Sequence, residues 1–517
     1  MGVKIGGEIE RMNGKELSYE EFVKNYVEKN QPVVITGLMD DWRACNDWVT
    51  KDGLPNLSFF SLNFGKSKVQ VSRVLAFAQR RLCKDKKPLK GLFHLTAQHP
   101  TWLANIVADC GRREFNDQKI VEMSVSDFVG NWVDFSSKEC SSASSCEDSN
   151  ELLLYLKDWH FVEEYPDYIA YTTPLFFRDD WLNLYLDSYN MHMDETSQEK
   201  NEVNCSDYRF VYMGSKVNVD YPVGTWTPLH ADVFRSYSWS ANVCGRKKWL
   251  LLSPSQSQLV FDRHMKSSVY DIFEDVSETK FPGFNKAIWL ECIQEQNEVI
   301  FVPSGWYHQV QNMEDTISIN HNWFNAHNLS WVWKLLLKDY NEAKGYIEDI
   351  RDICDDFEGL CQRNLAINTG MNFPDFFIFI IRFSLANLFQ LCSLVKDHKI
   401  KVHDPFMAQH TMSNLASIKQ VVSDMENFLQ ELGFCLDVKE VLKKPDFMKL
   451  CIAMGVTYRR LRDEHWKHNF DTTEVDCGDF LHSIDDSCGK VYSPNDLVKL
   501  INHVATDLGA IFGEVKL

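Results

Sequence analysis

Residues 208–325 break into brief runs of strand character divided by turn residues. That density of short strands points to two packed antiparallel sheets. YSWSANV (237–243) alternates large apolar with small polar side chains, as a strand buried on one face does. KKWLLLS (247–253) is a run suited to a buried strand, and EVIFVP (298–303) stops at the turn Pro303-Ser304-Gly305. WYHQVQ (306–311) resumes, residues 312–315 turn again, and TISINHNW (316–323) completes a meander. This places His308 on a strand beside the one that ends at Pro303. The expected fold class is mixed α and β. A double-stranded β-helix (jelly roll) at 208–325 is the core, N-terminal helix and strand elements fill 1–207, and 326–517 form a helical C-terminal region.

The flanks carry their own signals. Ser18 and Glu21 make a capping box for a helix over 18–29, with Phe22, Val23, Tyr26 and Val27 on one face. QPVVITGL (31–38) reads as a short strand closed by Gly37, and 124–135 as a helix. Residues 72–107, with the basic run RRLCKDKKPLK, read as an insertion exposed to solvent, and 190–206 as a polar loop. The Ser-rich stretch 136–151 reads as a linker. Residues 332–353 are amphipathic, and 412–432 and 494–512 look helical. The most apolar stretch is 372–395. Arg382, Asn387 and Gln390 interrupt it, and the uncharged part before Arg382 is too short to span a bilayer, so a buried or dimer-forming helix is expected, with no membrane.

Net charge is −19 over 517 residues, which repels phosphate backbones and argues against nucleic acid as a partner. The 15 cysteines include no Cys-x-x-Cys pair, so neither a zinc finger nor a disulfide framework is expected. Reduced thiols suit a cytoplasmic protein, with the nucleus as the alternative. The first residues lack an apolar signal core, and Gly6 stands where a myristoylation motif needs Ser or Thr.

The chemistry is concentrated in His230-x-Asp232 and in His308. On a strand, residues two apart share a face, so the imidazole of His230 and the carboxylate of Asp232 converge. Two histidines and one carboxylate, with positions left open, make the facial triad of non-haem Fe(II) chemistry. His192 and Asp194 repeat the spacing in a polar segment and are read as loop. His465 and His468 are read as a solvated helix face. Arg246, Lys247 and Lys248 are three consecutive cations. Alternation establishes only that they do not all face inward.

Thr227-x-x-His230-x-Asp232, then Gly245-x-Lys247, then FVPSGWYH (301–308), resemble in order and spacing the JmjC family of 2-oxoglutarate oxygenases, whose cores are cupin-like jelly rolls. YLKDWHF (155–161), SDYRFVYMG (206–214) and DTISINHNW (315–323) resemble one branch, the lysyl hydroxylases of a translation termination factor. The resemblance covers about residues 17–70 and 108–375, with interruptions. It implies Fe(II) held by His230, Asp232 and His308. It implies 2-oxoglutarate anchored by the Lys247 cation and the Thr227 hydroxyl, with Asn320 and Asn322 approaching the cofactor or metal. Aromatic side chains of 152–161 or 172–182 would wall the pocket, with no one of them singled out. The implied reaction consumes O₂ and 2-oxoglutarate, releases succinate and CO₂, and hydroxylates a C–H bond of a protein substrate, a translation release factor. Related hydroxylases dimerise through helical tails, which implies a homodimer here. The alternatives are a histone lysine demethylase and a non-catalytic scaffold.

Overall fold

The computed structural model describes residues 3–74, 119–139, 153–189, 207–216, 224–274, 276–396, 405–425, 435–463 and 489–512. The His192/Asp194 and His465/His468 pairs lie outside these residues. So do the 190–206 stretch, residues 75–107 of the insertion and 140–151 of the Ser-rich segment.

Two sheets form the double-stranded β-helix. The five-stranded sheet runs β1 (Lys4–Glu8), β11 (Ile288–Gln294), β10 (Lys247–Leu252), β13 (Tyr307–Asn312), β8 (Trp226–His230). The nine-stranded sheet begins β2 (Arg11–Asn13), β3 (Val33–Thr36), β12 (Glu298–Val302), β9 (Tyr237–Cys244) and β14 (Thr316–Trp323). It continues β7 (Arg209–Gly214), β6 (Leu153–Trp159), β4 (Lys68–Val74) and β5 (Lys119–Ser124). The sheets meet through one apolar cluster. Trp249, Leu251 and Val310 come from the first sheet, and Val34, Ile300 and Val302 from the second. Fully burying each such side chain contributes about 1.5–3 kcal/mol.

This topology corrects the meander. β12 and β13 are consecutive, yet they lie in different sheets. The turn after Pro303 is a corner that carries the chain across the sandwich, so His308 stands between β10 and β8 and not beside β12. The β9–β10 connection is a second corner. Gly245 turns it at φ +75°, where a Cβ would fall 2.2 Å from the Asp315 carbonyl oxygen.

The N-terminal elements enter the same sheets. β1 lies parallel to β11, with Lys4 opposite Ile288, and β3 pairs antiparallel with β12. The capping box at Ser18 and Glu21 is formed, and both backbone–side-chain bonds are present. The α-helix stops at Phe22, and Val23–Val27 widen into a π-helical turn. Phe22 there packs edge-on against Phe301 at 5.2 Å, and the Tyr26 hydroxyl donates to Glu10 at 3.0 Å. The helix expected at 124–135 runs Val125–Glu139, into the start of the Ser-rich segment.

The chain divides into two compact units. One holds the described residues up to 173 and from 207 to 322, and the other holds 174–189 and those from 323 onward. The second unit is helical, with long helices at Leu329–Tyr346, Phe373–Lys396, Pro405–Met425, Pro445–Arg462 and Pro494–Phe512. Phe373–Leu394 is long and apolar enough to cross a membrane, but it is the core of this unit. Phe376, Phe379, Ile380 and Phe383 are fully buried, and Trp181 stacks on Phe383 at 4.6 Å. Its polar interruptions have partners. Arg382 donates to the Tyr185 hydroxyl at 2.5 Å, and Asn387 Oδ1 accepts from Asn414 and Tyr458, both at 3.2 Å.

Candidate active site

Thr227 and His230 are three apart, and a regular strand would point them to opposite faces. The register shows how both turn inward. His308 pairs with His230 but Val310 pairs with Thr227, so β8 spends one extra residue between them. That β-bulge spans Pro228 and Leu229, and proline, which has no N–H to donate, is at home in one. Leu229 then points outward into another apolar cluster, while Thr227 shares the inner face with Val310 and His308.

His230, Asp232 and His308 each offer one ligand atom, all within 4.8 Å of one another. The two imidazole rings lie 4.3 Å apart at 55°. Each ring is held by the chain that carries it. His230 Nδ1 donates to the Pro228 carbonyl at 2.8 Å and His308 Nδ1 to the Trp306 carbonyl at 3.2 Å. With the proton on Nδ1, the lone pair is on Nε2, the form a metal requires. Asp232 lies beyond the end of β8, at the start of the turn Val233–Arg235. Its Oδ2 accepts from Ser238 Oγ at 2.7 Å. Phe234 and Arg235 both adopt φ +52°, a conformation costing about 1–3 kcal/mol for a non-glycine residue. Phe234 packs on Tyr208 at 5.6 Å, and Arg235 Nη2 donates to the Tyr307 hydroxyl at 2.9 Å, which hold the turn in place. Two imidazoles turned to offer Nε2 and one oriented carboxylate are a donor set that fits Fe(II). Replacing Ser238 by alanine frees the Asp232 carboxylate. Metal affinity is expected to fall about 10- to 100-fold, read by titration of the full chain with Fe(II) or Mn(II).

Burial separates the three consecutive cations. Arg246 is exposed and pairs with Glu314 at 2.8 Å, and Lys248 pairs with Glu291. Lys247 is 2% exposed and has no carboxylate partner among the described residues. Desolvation pulls its ammonium from 10.5 down to about 7. It lies on the inner face with Trp249, which is 5.6 Å from the His308 ring. The Thr227 hydroxyl is buried with no hydrogen-bond partner among the described residues. A lone buried cation and an unsatisfied hydroxyl on the inner face of one sheet fit a carboxylate.

The facing sheet supplies the opposite wall. Ser238 and Ser240 of β9 pair with Val302 and Ile300, so they share the inner face. Asn322 Nδ2 donates to Ser236 Oγ at 3.3 Å, which ties β14 to the turn after Asp232. Asn320 shares that face and donates to Ser318 Oγ at 3.2 Å. Across β7, Asn320 lies opposite Phe210. Tyr155 on β6, opposite Gly214, is one of three buried aromatics of the 152–161 run, with Trp159 and Phe161, and no local signal singled it out. A Cβ on Gly214 would fall 2.2 Å from Thr225 Oγ1 and 2.6 Å from Asn312 Nδ2, so the backbone packs directly on that polar corner.

A second group, His160, Glu163 and Asp207, also comes within 4.8 Å. Its charges are already matched. His160 Nδ1 donates to Asp207 Oδ1 at 2.9 Å, and Arg209 lies 3.4 Å from Oδ2.

Comparison with known proteins agrees with this geometry. The cupin-like domain profile matches residues 19–329. The chain is 51% identical, over 99% of its length and the whole of the other, to a protein named arginine-specific demethylase JMJ20 from Arabidopsis thaliana. It is 36% identical to 2-oxoglutarate and iron-dependent oxygenase JMJD4 of Danio rerio, over 71% of this chain and 72% of that one. Against the Homo sapiens protein of that name the identity is 33%, over 70% and 72%. The chain belongs to the JmjC family of 2-oxoglutarate- and iron-dependent oxygenases, built on a cupin-like core.

Proposed function

We propose that this oxygenase is a protein hydroxylase that oxidises a C–H bond of a lysyl side chain in a translation termination factor. The observation that carries the oxygenase part is the pairing of a preset His230/Asp232/His308 triad with an uncompensated buried Lys247. In this reading the triad holds Fe(II), Lys247 takes the distal carboxylate of 2-oxoglutarate, and Thr227 donates to it. Iron with 2-oxoglutarate and O₂ supplies the oxidation of an unactivated C–H bond, releasing succinate and CO₂. The chain's own work is to fix the imidazole tautomers, orient one carboxylate oxygen and hold a cation ready in a dry site. The lysyl part rests on the likeness of residues 155–161, 206–214 and 315–323 to the termination-factor branch.

A second reading is favoured by the full-length similarity to a protein named as an arginine-specific demethylase. There the oxidised carbon is an N-methyl group, which leaves as formaldehyde. The two readings share every residue named above and differ in which carbon is presented. The test is to incubate the full chain with Fe(II), 2-oxoglutarate and O₂, offering either a release factor or a methylarginine peptide. A lysine heavier by one oxygen, with substrate-stimulated succinate, supports hydroxylation. Formaldehyde and a peptide lighter by one methyl group support demethylation. Neither product, with no succinate, sinks both.

A further inference from the structure

Asn312 has no part in the reading above, yet it sits where the anchoring groups meet. It is the cross-strand partner of Lys247 and is 1% exposed. Thr225 donates its one hydroxyl proton to the Ser215 carbonyl at 3.2 Å, so it can only accept from Asn312. The atom facing it at 2.7 Å must therefore be the amide nitrogen, Nδ2. Tyr155 packs at the same corner, its Cδ2 2.8 Å from where a Cβ on Gly214 would fall. Oδ1 is left buried with no hydrogen-bond partner among the described residues, on the strand face that carries Lys247. Buried polar groups are nearly always satisfied. Among the described residues the Oδ1 acceptor lacks a donor and the opposed Lys247 ammonium lacks a counter-ion; a carboxylate that draws in the ammonium lets it donate to both oxygens.

We propose that Asn312 is a positioning residue for the dicarboxylate co-substrate: it offers Oδ1 to one proton of Lys247, so the ammonium is aimed when the distal carboxylate arrives. The inference rests on Lys247 being the anchor. Thr225 and Gly214 serve it by fixing the amide and leaving it room.

The experiment uses the full chain loaded with Mn(II), free of O₂, and titrated by calorimetry with 2-oxoglutarate and with 2-oxopentanoate. The second acid has the same chelating end and no distal carboxylate. Asn312→Asp places a permanent carboxylate beside Lys247. The expected result is a loss of roughly tenfold or more in 2-oxoglutarate affinity, with 2-oxopentanoate and Mn(II) affinities held within about twofold. Unchanged 2-oxoglutarate affinity, equal losses for the two acids, or lost Mn(II) binding would each overturn the proposal. Should Asn312→Asp fail to fold, Asn312→Ala decides: a several-fold narrower preference for the dicarboxylate supports it, and an intact preference overturns it. Lys247→Met tests the anchor separately. A preference that survives that change defeats the anchor reading, whatever Asn312 does.

Discussion

His230→Ala is expected to abolish succinate formation and to weaken Fe(II) binding well beyond the ~100-fold that losing an outer hydrogen bond costs. The ring supplies one of three ligand atoms that converge within 4.8 Å, and its Nδ1 is tied to the Pro228 carbonyl, so no rotation of a neighbour replaces it. Asp232→Asn is expected to behave alike, because an amide oxygen brings no charge to a divalent cation. Metal titration separates this effect from unfolding. The imidazole is on edge strand β8, and the apolar cluster that joins the sheets does not include it. A variant that binds iron normally and turns over 2-oxoglutarate at the original rate would remove the triad assignment.

Lys247→Met is expected to leave iron binding intact and to lower 2-oxoglutarate affinity about 10- to 150-fold, since a charge-assisted bond to a carboxylate contributes about 1.5–3 kcal/mol. The same change should alter the pH profile of stability. The folded Lys247 titrates near 7 and the unfolded one near 10.5. Between those values the unfolded chain binds more protons, so stability of the cofactor-free protein should rise with pH across that window. Below about 7 the burial penalty is present in full. Lys247→Met removes this contribution to the slope, which urea melts at a series of pH values would show. With Lys247 as the proposed anchor, 2-oxoglutarate affinity in the wild type is expected to weaken as pH climbs past about 7.

The strands of the core were readable because each is a short local pattern. The runs at 237–243, 247–253, 298–303 and 316–323 all became strands within a residue or two. The triad was readable because three chemically distinctive residues stand in a strict order. What local pattern cannot report is which sheet a strand joins, and so the corner after Pro303 looked like a hairpin. Nor does alternation explain an odd spacing. Thr227 and His230 face the same way only because of the bulge at Pro228. Which of Arg246, Lys247 and Lys248 lacks a carboxylate partner depends on Glu314 and Glu291, which lie far along the chain. Tyr155 and Asn312 are ordinary strand residues by sequence, and their meeting depends on registers across three strand pairs.

The pairing of Lys4 with Ile288 also has a consequence in time. On a ribosome adding about 5–20 residues each second, the second partner emerges at least ~14 s after the first. Throughout that wait β1 lacks its neighbour, because among the described residues β11 is the only strand beside it in its sheet. A nascent chain halted before Ile288 lacks His308 as well, so the sheet's outer border and the third member of the triad arrive in the same late instalment. Closing such distant contacts is slow, and for this protein the capacity to take up iron cannot arise until the chain has grown past His308.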